Sequence, residues 1–340
     1  MGQKALQRRY KMNESKIIEI TKGKKRGKKG KFDFINDFIN DFIDNIDFSE
    51  LVLLFTSSQM FDMQKDIKNK NRRIESTSFF NDFVVSISRI ENTIYHKRAF
   101  DTLLQTCKPH DTTIETILGI KNGMALEIND MHEFKKIAGL EKHTDEQVAD
   151  MIEDIVRTNI DIRKIDKNKK QTNFLFFNLA STSSKIDIET RKYIDFTFWL
   201  DDIFLDILTA LTKTRIDANT LKYVHQYAKT AVVERIIKFF LPLHSEMIFK
   251  NDDFLMLLRQ ISDIPIFNKK TKENVYNKFD DESGQYRNEI LANIDTELEL
   301  LKEFGIEFNK KQLLISYNPM KSKFYKSNIL SVDYFKKDNV

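Results

Sequence analysis

Apolar residues recur every three or four positions along much of the chain, a spacing typical of amphipathic helices. The segment 32–48 repeats a Phe–Ile pair every fourth residue and predicts such a helix, although its four-residue word is also typical of low-complexity sequence. Thr144 followed by Gln147 predicts a capping box, and Gly139 and Gly305 predict helix ends. The same spacing predicts further helices at 97–107, 129–138, 144–157, 201–211, 232–243, 251–261 and 285–304.

Strand-like runs predict two β-hairpins, each closed by a polar turn that carries Lys residues. The first hairpin joins 160–165 to 173–180, the second joins 306–308 to 312–317, and a further strand is predicted at 193–200. The apolar runs at 51–55 and 79–90 fit either a strand or a buried helix. The polar segment at 60–74, which has a basic end, predicts a linker.

Helix, turn, helix and then a hairpin with a basic tip is the order of a winged-helix unit, and this order occurs twice. The predicted fold class is therefore mainly α with small β-hairpins, an α+β arrangement of two tandem winged-helix domains. A basic disordered arm and an amphipathic helix precede them. The predicted boundaries are 1–31 for the arm, 32–94 for a helical extension, 95–215 and 216–320 for the two winged-helix domains, and 321–340 for a basic C-terminal tail.

Positive charge is concentrated in the N-terminal arm. Residues 1–31 hold twelve Lys or Arg and two Glu, a net charge of +10, whereas the rest of the chain holds 43 basic and 49 acidic residues. A run of like charges without an apolar period repels itself, so we expect this arm to be disordered when free. Its side chains suit binding to nucleic-acid phosphates, and a solubilising tail is the alternative interpretation.

The composition excludes several classes of protein. Nine Gly and four Pro in 340 residues argue against sandwiches, barrels and Gly-loop nucleotide folds, and the single Cys107 excludes a disulfide framework within one chain. No GxxxxGK[ST], GxGxxG, HExxH or GxSxG motif is present, and the six His are scattered. We therefore expect no enzymatic activity, no cofactor and no metal site. Without a signal peptide or an apolar run of 18 residues, we also expect a cytoplasmic protein that does not enter membranes.

The first unit consists of five predicted segments, in the order helix, helix, strand, strand, and a short strand that leads into a helix. They are 127–138, 144–157, 160–165, 173–180 and the stretch Ile194-Asp-Phe-Thr-Phe-Trp-Leu-Asp-Asp-Ile-Phe-Leu205, with the second unit following at 220–317. This order resembles the plasmid replication initiators of iteron-type replicons, over about two-thirds of the chain. The resemblance implies binding to repeated sites in double-stranded DNA at a replication origin. It also implies exchange between monomer and homodimer, and recruitment of host replication proteins.

One helix departs from that family pattern. The helix predicted at 144–157 carries five acidic residues and ends on a single basic one, Arg157. Because carboxylates facing phosphates are repelled, we expect this helix to face protein rather than DNA. The second unit is then the better candidate to read DNA, with Arg287 in the first turn of its long helix. The alternative is that Arg287 pairs with Asp280, Asp281 or Glu282 on a solvated surface.

The candidate DNA-binding residues are therefore basic side chains of the arm, the two hairpin turns, the segment before the long helix, and the C-terminal tail. They are Lys22, Lys24, Lys25, Arg26, Lys28, Lys29, Lys167, Lys169, Lys170, Lys269, Lys270, Lys272, Lys278, Arg287, Lys310, Lys311, Lys321 and Lys323. The function that these features predict is a DNA-binding replication initiator. The alternatives are a winged-helix transcription regulator and a helical interaction or assembly protein whose basic arm binds a polyanion.

Overall fold

A computed structural model describes residues 33–64, 72–80, 82–106, 109–116, 119–164, 173–178, 180–186, 193–200, 207, 216–243, 245–268 and 273–325. Contacts divide the chain into two units, Met1–Asn40 and Asp41–Val340. The arm at 1–31 lies outside the described residues, as does most of the predicted helix at 201–211. No helix among the described residues has the length and apolarity needed to cross a bilayer.

The chain has an α+β fold with antiparallel sheets. The helices are α1 (Asp33–Asn45), α2 (Phe48–Thr56), α3 (Ile94–Thr106), α4 (Met131–Ala138), α5 (Asp145–Val156), α6 (Ala218–Tyr227), α7 (Ala231–Phe240), α8 (Asp252–Ser262), α9 (Gln285–Thr296) and α10 (Leu298–Glu303). The strands are β1 (Arg73–Phe80), β2 (Phe83–Ile90), β3 (Pro109–Thr116), β4 (Gly119–Ile128), β5 (Asn159–Lys164), β6 (Asn173–Asn178), β7 (Ala180–Ile186), β8 (Tyr193–Leu200), β9 (Met247–Lys250), β10 (Ile266–Asn268), β11 (Glu273–Val275), β12 (Ile306–Asn309) and β13 (Leu314–Tyr317).

Local signals in the sequence place most of the predicted helices correctly. The capping box at Thr144 is present, since its hydroxyl accepts from the Gln147 N–H at 3.2 Å and the Gln147 side chain accepts from the Thr144 N–H at 2.9 Å. Gly139 ends α4 in the left-handed region with φ of 65°. Gly305 also has a positive φ, 73°, where a Cβ would lie 2.2 Å from the Asn318 carbonyl oxygen, so only glycine fits there.

Two four-stranded sheets lie in the first half of the chain, with strand orders β1-β2-β5-β6 and β3-β4-β8-β7. The predicted hairpin at 160–165 and 173–180 is confirmed as β5 and β6, with Ile160 opposite Phe177. The ambiguous run at 79–90 is mostly strand β2, which pairs with β5 although it precedes α3 along the chain. The sequence did not predict β1, β3, β4 or most of β7. β4 pairs with β8 from a part of the chain about seventy residues away, with Ala125 opposite Trp199.

The second half of the chain folds around one apolar core. α7 and α8 together supply ten of its residues, α9 adds Ile290 and Ile294, and Ile306 and Ile315 join from β12 and β13. The three-stranded sheet has the order β12-β13-β9. The predicted hairpin at 306–308 and 312–317 is confirmed as β12 and β13, with Phe308 opposite Ile315. From α7 onward, the order along the chain is helix, strand, helix, two short strands, two helices and two strands, and the last strand, β13, pairs with β9.

The single helix predicted at 285–304 is wrong, because it breaks at Glu297 into α9 and α10. The Glu297 carboxylate accepts from the backbone N–H of Lys229 at 2.8 Å and of Thr230 at 3.0 Å. These N–H groups open α7, where a negative charge is stabilised by the unpaired donors and the helix dipole. The break therefore serves to cap a neighbouring helix.

The linker predicted at 60–74 is wrong at both ends, since a buried turn begins it and β1 ends it, while 65–71 lie outside the described residues. Met60 and Phe61 are each 1% exposed. The Arg89 guanidinium, at the end of β2, binds both oxygens of Asp62 at 3.0–3.1 Å and donates to the carbonyls of Ser58 and Gln59. Buried hydrogen bonds therefore fix this turn in place, and β1 begins within the last residues of the predicted linker.

A second buried group of charges joins α3 to α6 and α7. Glu234 binds Arg98 at 2.7 Å and Lys238 at 2.7 Å, and Lys238 also binds Asp101 at 2.7 Å. Burial alone would raise the pKa of Glu234, but Lys238 and Arg98 overcome this and hold it far below the usual value. Burial lowers the pKa of His225 to about 3, helped by Lys238, so this ring is neutral where its Nδ1–H donates to the Ile137 carbonyl at 2.8 Å.

Candidate nucleic-acid interface

Helix α9 presents a polar face to solvent. Ile290, Leu291 and Ile294 are buried in the core of the second half. The opposite face, with helical spacing, is exposed and consists of Gln285, Asn288, Glu289, Ala292 and Asp295. The helix is anchored at its start, where the Tyr286 hydroxyl donates to the Ser262 carbonyl at 2.7 Å. It therefore offers amide side chains on a fixed surface.

Arg287 lies at the start of the same helix and is half-buried. Its guanidinium lies against Gly284, where an added Cβ would come within 3.1 Å of Nη2. The alternative was a pair with Asp280, Asp281 or Glu282, and the structure shows no ion pair of Arg287 with any of these three, while Asp280 binds Arg259 at 2.7 Å. Among the residues that the structure describes, Arg287 has no carboxylate partner within ion-pair distance. The guanidinium is therefore available to a ligand at the helix start.

The tip of the β12–β13 hairpin holds two exposed Lys, 310 and 311. The turn is closed by its own hydrogen bonds, in which the Gln312 N–H donates to the Asn309 side chain at 3.2 Å and the Asn309 amide donates to Gln312 at 3.2 Å. Leu313 completes the turn with a positive φ of 44°. No ion pair joins either Lys to another described residue, so both charges face solvent.

The remaining described candidates differ in their surroundings. Lys278 is exposed. Lys321 binds Glu307 at 2.7 Å and Lys323 binds Glu303 at 2.8 Å, which partly neutralises these two charges. The hydrogen bond from Lys323 lowers the pKa of Glu303. Glu303 also accepts from the Tyr223 hydroxyl at 2.6 Å, and this bond raises the pKa of Tyr223 to about 12.

Twelve of the predicted site residues lie outside the described residues, so the structure does not place them. They are Lys22, Lys24, Lys25, Arg26, Lys28, Lys29, Lys167, Lys169, Lys170, Lys269, Lys270 and Lys272. What the structure brings together is Arg287 with the amides of α9, the helix that α10 separates from the β12–β13 hairpin. Sequence reasoning did not select Gln285, Asn288 or Ala292, although their i, i+3, i+7 spacing marks one helix face.

Helix α5 of the first half is acidic on its outer face. Glu146 and Asp150 are exposed, and Glu153 and Asp154 are partly so. Arg157, the basic residue at the helix end, lies 3.8 Å from both Glu153 and Asp154. An anionic surface of this kind repels phosphates.

Replacing Asp150 and Glu153 together by Ala is expected to leave DNA affinity unchanged or slightly raised. The substitution removes repulsion between carboxylates and phosphates, and it removes no contact with DNA. Fluorescence anisotropy on a fixed duplex, with circular dichroism to verify folding, measures this. A tenfold weaker affinity in a folded variant would mean that α5 contacts DNA.

The described residues contain no group of three or more His, Cys, Asp or Glu side chains placed to hold a metal ion. No protein-family model matches the chain, and no curated protein matches its sequence. A solved structure of domains 2 and 3 of RctB is similar, with a TM-score of 0.45 and 8% sequence identity, over 76% of this chain and 89% of that chain. A match this distant carries no conclusion about activity.

Proposed function

We propose that this chain is a non-enzymatic, sequence-specific DNA-binding protein that acts as a replication initiator. The observation that supports it is the order of the second half, α7-β9-α8-β10-β11-α9-α10-β12-β13, with β13 paired to both β12 and β9. Apart from the β10–β11 hairpin between α8 and α9 and the short α10 after α9, three helices closed by such a sheet have the connectivity of a winged helix. In that arrangement the third helix enters the major groove and the hairpin lies over phosphates.

Helix α9 takes the place of the reading helix in this proposal. Arg reads guanine through two hydrogen bonds, Asn and Gln read adenine in the same way, and Ala contacts the thymine methyl group. Arg287, Asn288, Gln285 and Ala292 supply these side chains on a single helix. Glu289 and Asp295 restrict how closely the rest of the helix approaches phosphates, which favours a contact made by its first turns.

In this proposal the β12–β13 hairpin, which is the wing, and the arm at 1–31 bind phosphates. Lys310 and Lys311 are exposed at the wing tip and free of described carboxylates. The arm adds a net charge of +10 that suits any nucleic acid regardless of sequence. Contacts of this kind position the protein without specifying bases.

The initiator role, the plasmid-type origin and the repeated sites rest on the resemblance of the two-unit order to iteron-type initiators. The first unit, 95–215, serves in this proposal for protein contact, consistent with the acidic face of α5. Partners would be duplex DNA, a second copy of the chain and host replication proteins.

The decisive experiment begins by selecting preferred sites from a random duplex pool with the full chain. Arg287→Ala and Asn288→Ala are each expected to cost about 1–3 kcal/mol on the selected site and to relax one base position. Binding to a scrambled duplex should barely change. Lys310→Ala combined with Lys311→Ala should weaken both duplexes alike and lower the salt slope by about two.

Lys136→Ala is the matched control, because Lys136 is an exposed helix Lys in α4, paired only at 3.8 Å with Glu133. This substitution should leave the affinity for the selected duplex and for the scrambled duplex unchanged. Failure to select any preferred site would leave the polyanion-binding assembly protein as the better explanation. Selected sites that recur as direct repeats in the DNA carrying the gene support an initiator, whereas a single site near a promoter supports a regulator.

A further inference from the structure

Strand β9 forms a free edge of the β12-β13-β9 sheet among the described residues. Its residues alternate between partly buried and exposed, so Met247 and Phe249 face the core while Ile248 and Lys250 face outward. Ile248 is 62% exposed, unusually high for a large apolar side chain in a strand. The other edge, β12, exposes Glu307 and Asn309 instead. An edge strand with an exposed apolar residue is a template for pairing with another strand.

The backbone of β9 has its outward groups at defined positions. The Asn251 N–H donates to the Leu313 carbonyl at 2.9 Å, which fixes residue 251 as pointing toward β13. Hydrogen-bonding direction alternates along an antiparallel strand, so residues 247 and 249 also point toward β13. The N–H and C=O groups of Ile248 and Lys250 therefore point to the free edge.

The exposed side chains of this edge are self-complementary. Glu246, Ile248 and Lys250 lie at alternate positions and all are exposed. When two copies pair antiparallel about a two-fold axis through Ile248, each Glu246 lies opposite the partner's Lys250. The two Ile248 side chains then meet at the centre. A shift of two residues would instead place Glu246 opposite Asp252, like charges that repel.

We propose that β9 pairs with β9 of a second copy, forming a six-stranded sheet across a homodimer with Glu246 and Lys250 as its reciprocal ion pairs. Lys250 has no ion-pair partner among the described residues, and Glu246 accepts a hydrogen bond from the Asn318 amide. The pairing leaves Lys310 and Lys311 accessible to DNA, because they lie in the turn that joins β12 to β13 and not on β9. The proposal does not depend on the chain binding DNA.

Sedimentation equilibrium of the full chain over a range of concentrations is the test. The unmodified chain should show a monomer–dimer equilibrium. Lys250→Glu and Glu246→Lys should each weaken dimerisation about tenfold or more, because two attractive pairs become two repulsive ones. The double variant, with the charges exchanged, should dimerise as the unmodified chain does.

A mixture of the two single variants gives the sharpest result. One chain then carries Lys at both positions and the other Glu at both, so a heterodimer has two attractive pairs. The mixture should dimerise more tightly than either variant alone. Glu307→Lys on the opposite edge is the control and should leave dimerisation unchanged.

All positions changed are exposed, and circular dichroism with a thermal melt verifies that each variant is folded. A monomeric unmodified chain at every concentration would overturn the proposal and would assign Lys250 to protecting the edge. Equal dimerisation of the single variants, or no heterodimer in the mixture, would place the interface elsewhere. A lack of DNA binding in the preceding experiment would leave this outcome unaffected.

Discussion

Replacing Glu234 with Ala is expected to lower the free energy of unfolding by about 3–5 kcal/mol. The carboxylate is 1% exposed and sits between Arg98 and Lys238, each with an N–O distance of 2.7 Å. Removing it leaves the Arg98 guanidinium without its carboxylate partner and leaves Lys238 with Asp101 alone, and His225 supplies no negative charge in its place. The penalty of an uncompensated buried charge exceeds what the pair itself contributes.

Urea unfolding followed by circular dichroism measures this change. Glu299→Ala is the matched control, since Glu299 also binds a Lys, Lys302, at 2.6 Å but is 89% exposed. An exposed pair of this kind contributes about 0–1 kcal/mol, so the control should shift stability by no more than that. Equal effects of the two substitutions would show that the ion cluster joining α3 and α7 is solvated rather than buried.

Replacing Arg89 with Met is expected to destabilise the chain by about 3–5 kcal/mol as well. The guanidinium is fully buried and holds Asp62 and the carbonyls of Ser58 and Gln59. Met fills a similar volume but donates no hydrogen bond, so the two carbonyls lose this donor and the Asp62 carboxylate keeps the Asn92 N–H at 3.2 Å without its buried counter-charge. The turn that follows α2 is expected to loosen first.

Arg163→Met provides the control for the same residue type in the same sheet. Arg163 is 56% exposed and pairs with Asp161 on the surface, where screening by water leaves such a pair worth less than about 1 kcal/mol. Denaturant unfolding compares the two variants, and proteolysis between α2 and β1 reports local opening. If Arg89→Met were as mild as Arg163→Met, the Asn92 N–H together with water would have to be enough to satisfy the Asp62 carboxylate.

Buried polar bonds hold α7, the first helix of the proposed winged-helix unit, in place. Arg98 and Asp101 belong to α3, whereas Glu234 and Lys238 belong to α7, the first helix of the proposed winged-helix unit. Arg235, also on α7, donates to the Ser58 hydroxyl at 2.9 Å. Because these bonds are directional and buried, they fix α7 against the first half of the chain.

Much of the candidate interface could be predicted from sequence, because its signals are local. Arg287 at a helix start and Lys310 and Lys311 in a hairpin turn are visible in the order of residues. The outward direction of Asn288 required the helix to be packed through Ile290 and Ile294. The ion pairs of Lys321 with Glu307 and of Lys323 with Glu303 could not be predicted from the sequence, because they depend on which segments lie side by side.

Most of the helices, their caps and two of the hairpins, β5–β6 and β12–β13, were determined by the sequence alone, since each depends on residues close to one another in the chain. The capping box at Thr144, the left-handed Gly139 and the wing at 306–317 are of this kind. Their physics is short-range hydrogen bonding and helical or alternating periodicity, which the residue order displays directly.

Only the tertiary structure decided which strands pair and which charges are buried. β2 pairs with β5 across the whole of α3 to α5, and Arg98 meets Glu234 from 136 positions away. Arg89, Glu234 and Lys238 appear in the sequence as ordinary surface charges. They are buried because each finds an opposite charge or carbonyls in a distant segment, and a charge can leave water only when such a partner is brought to it.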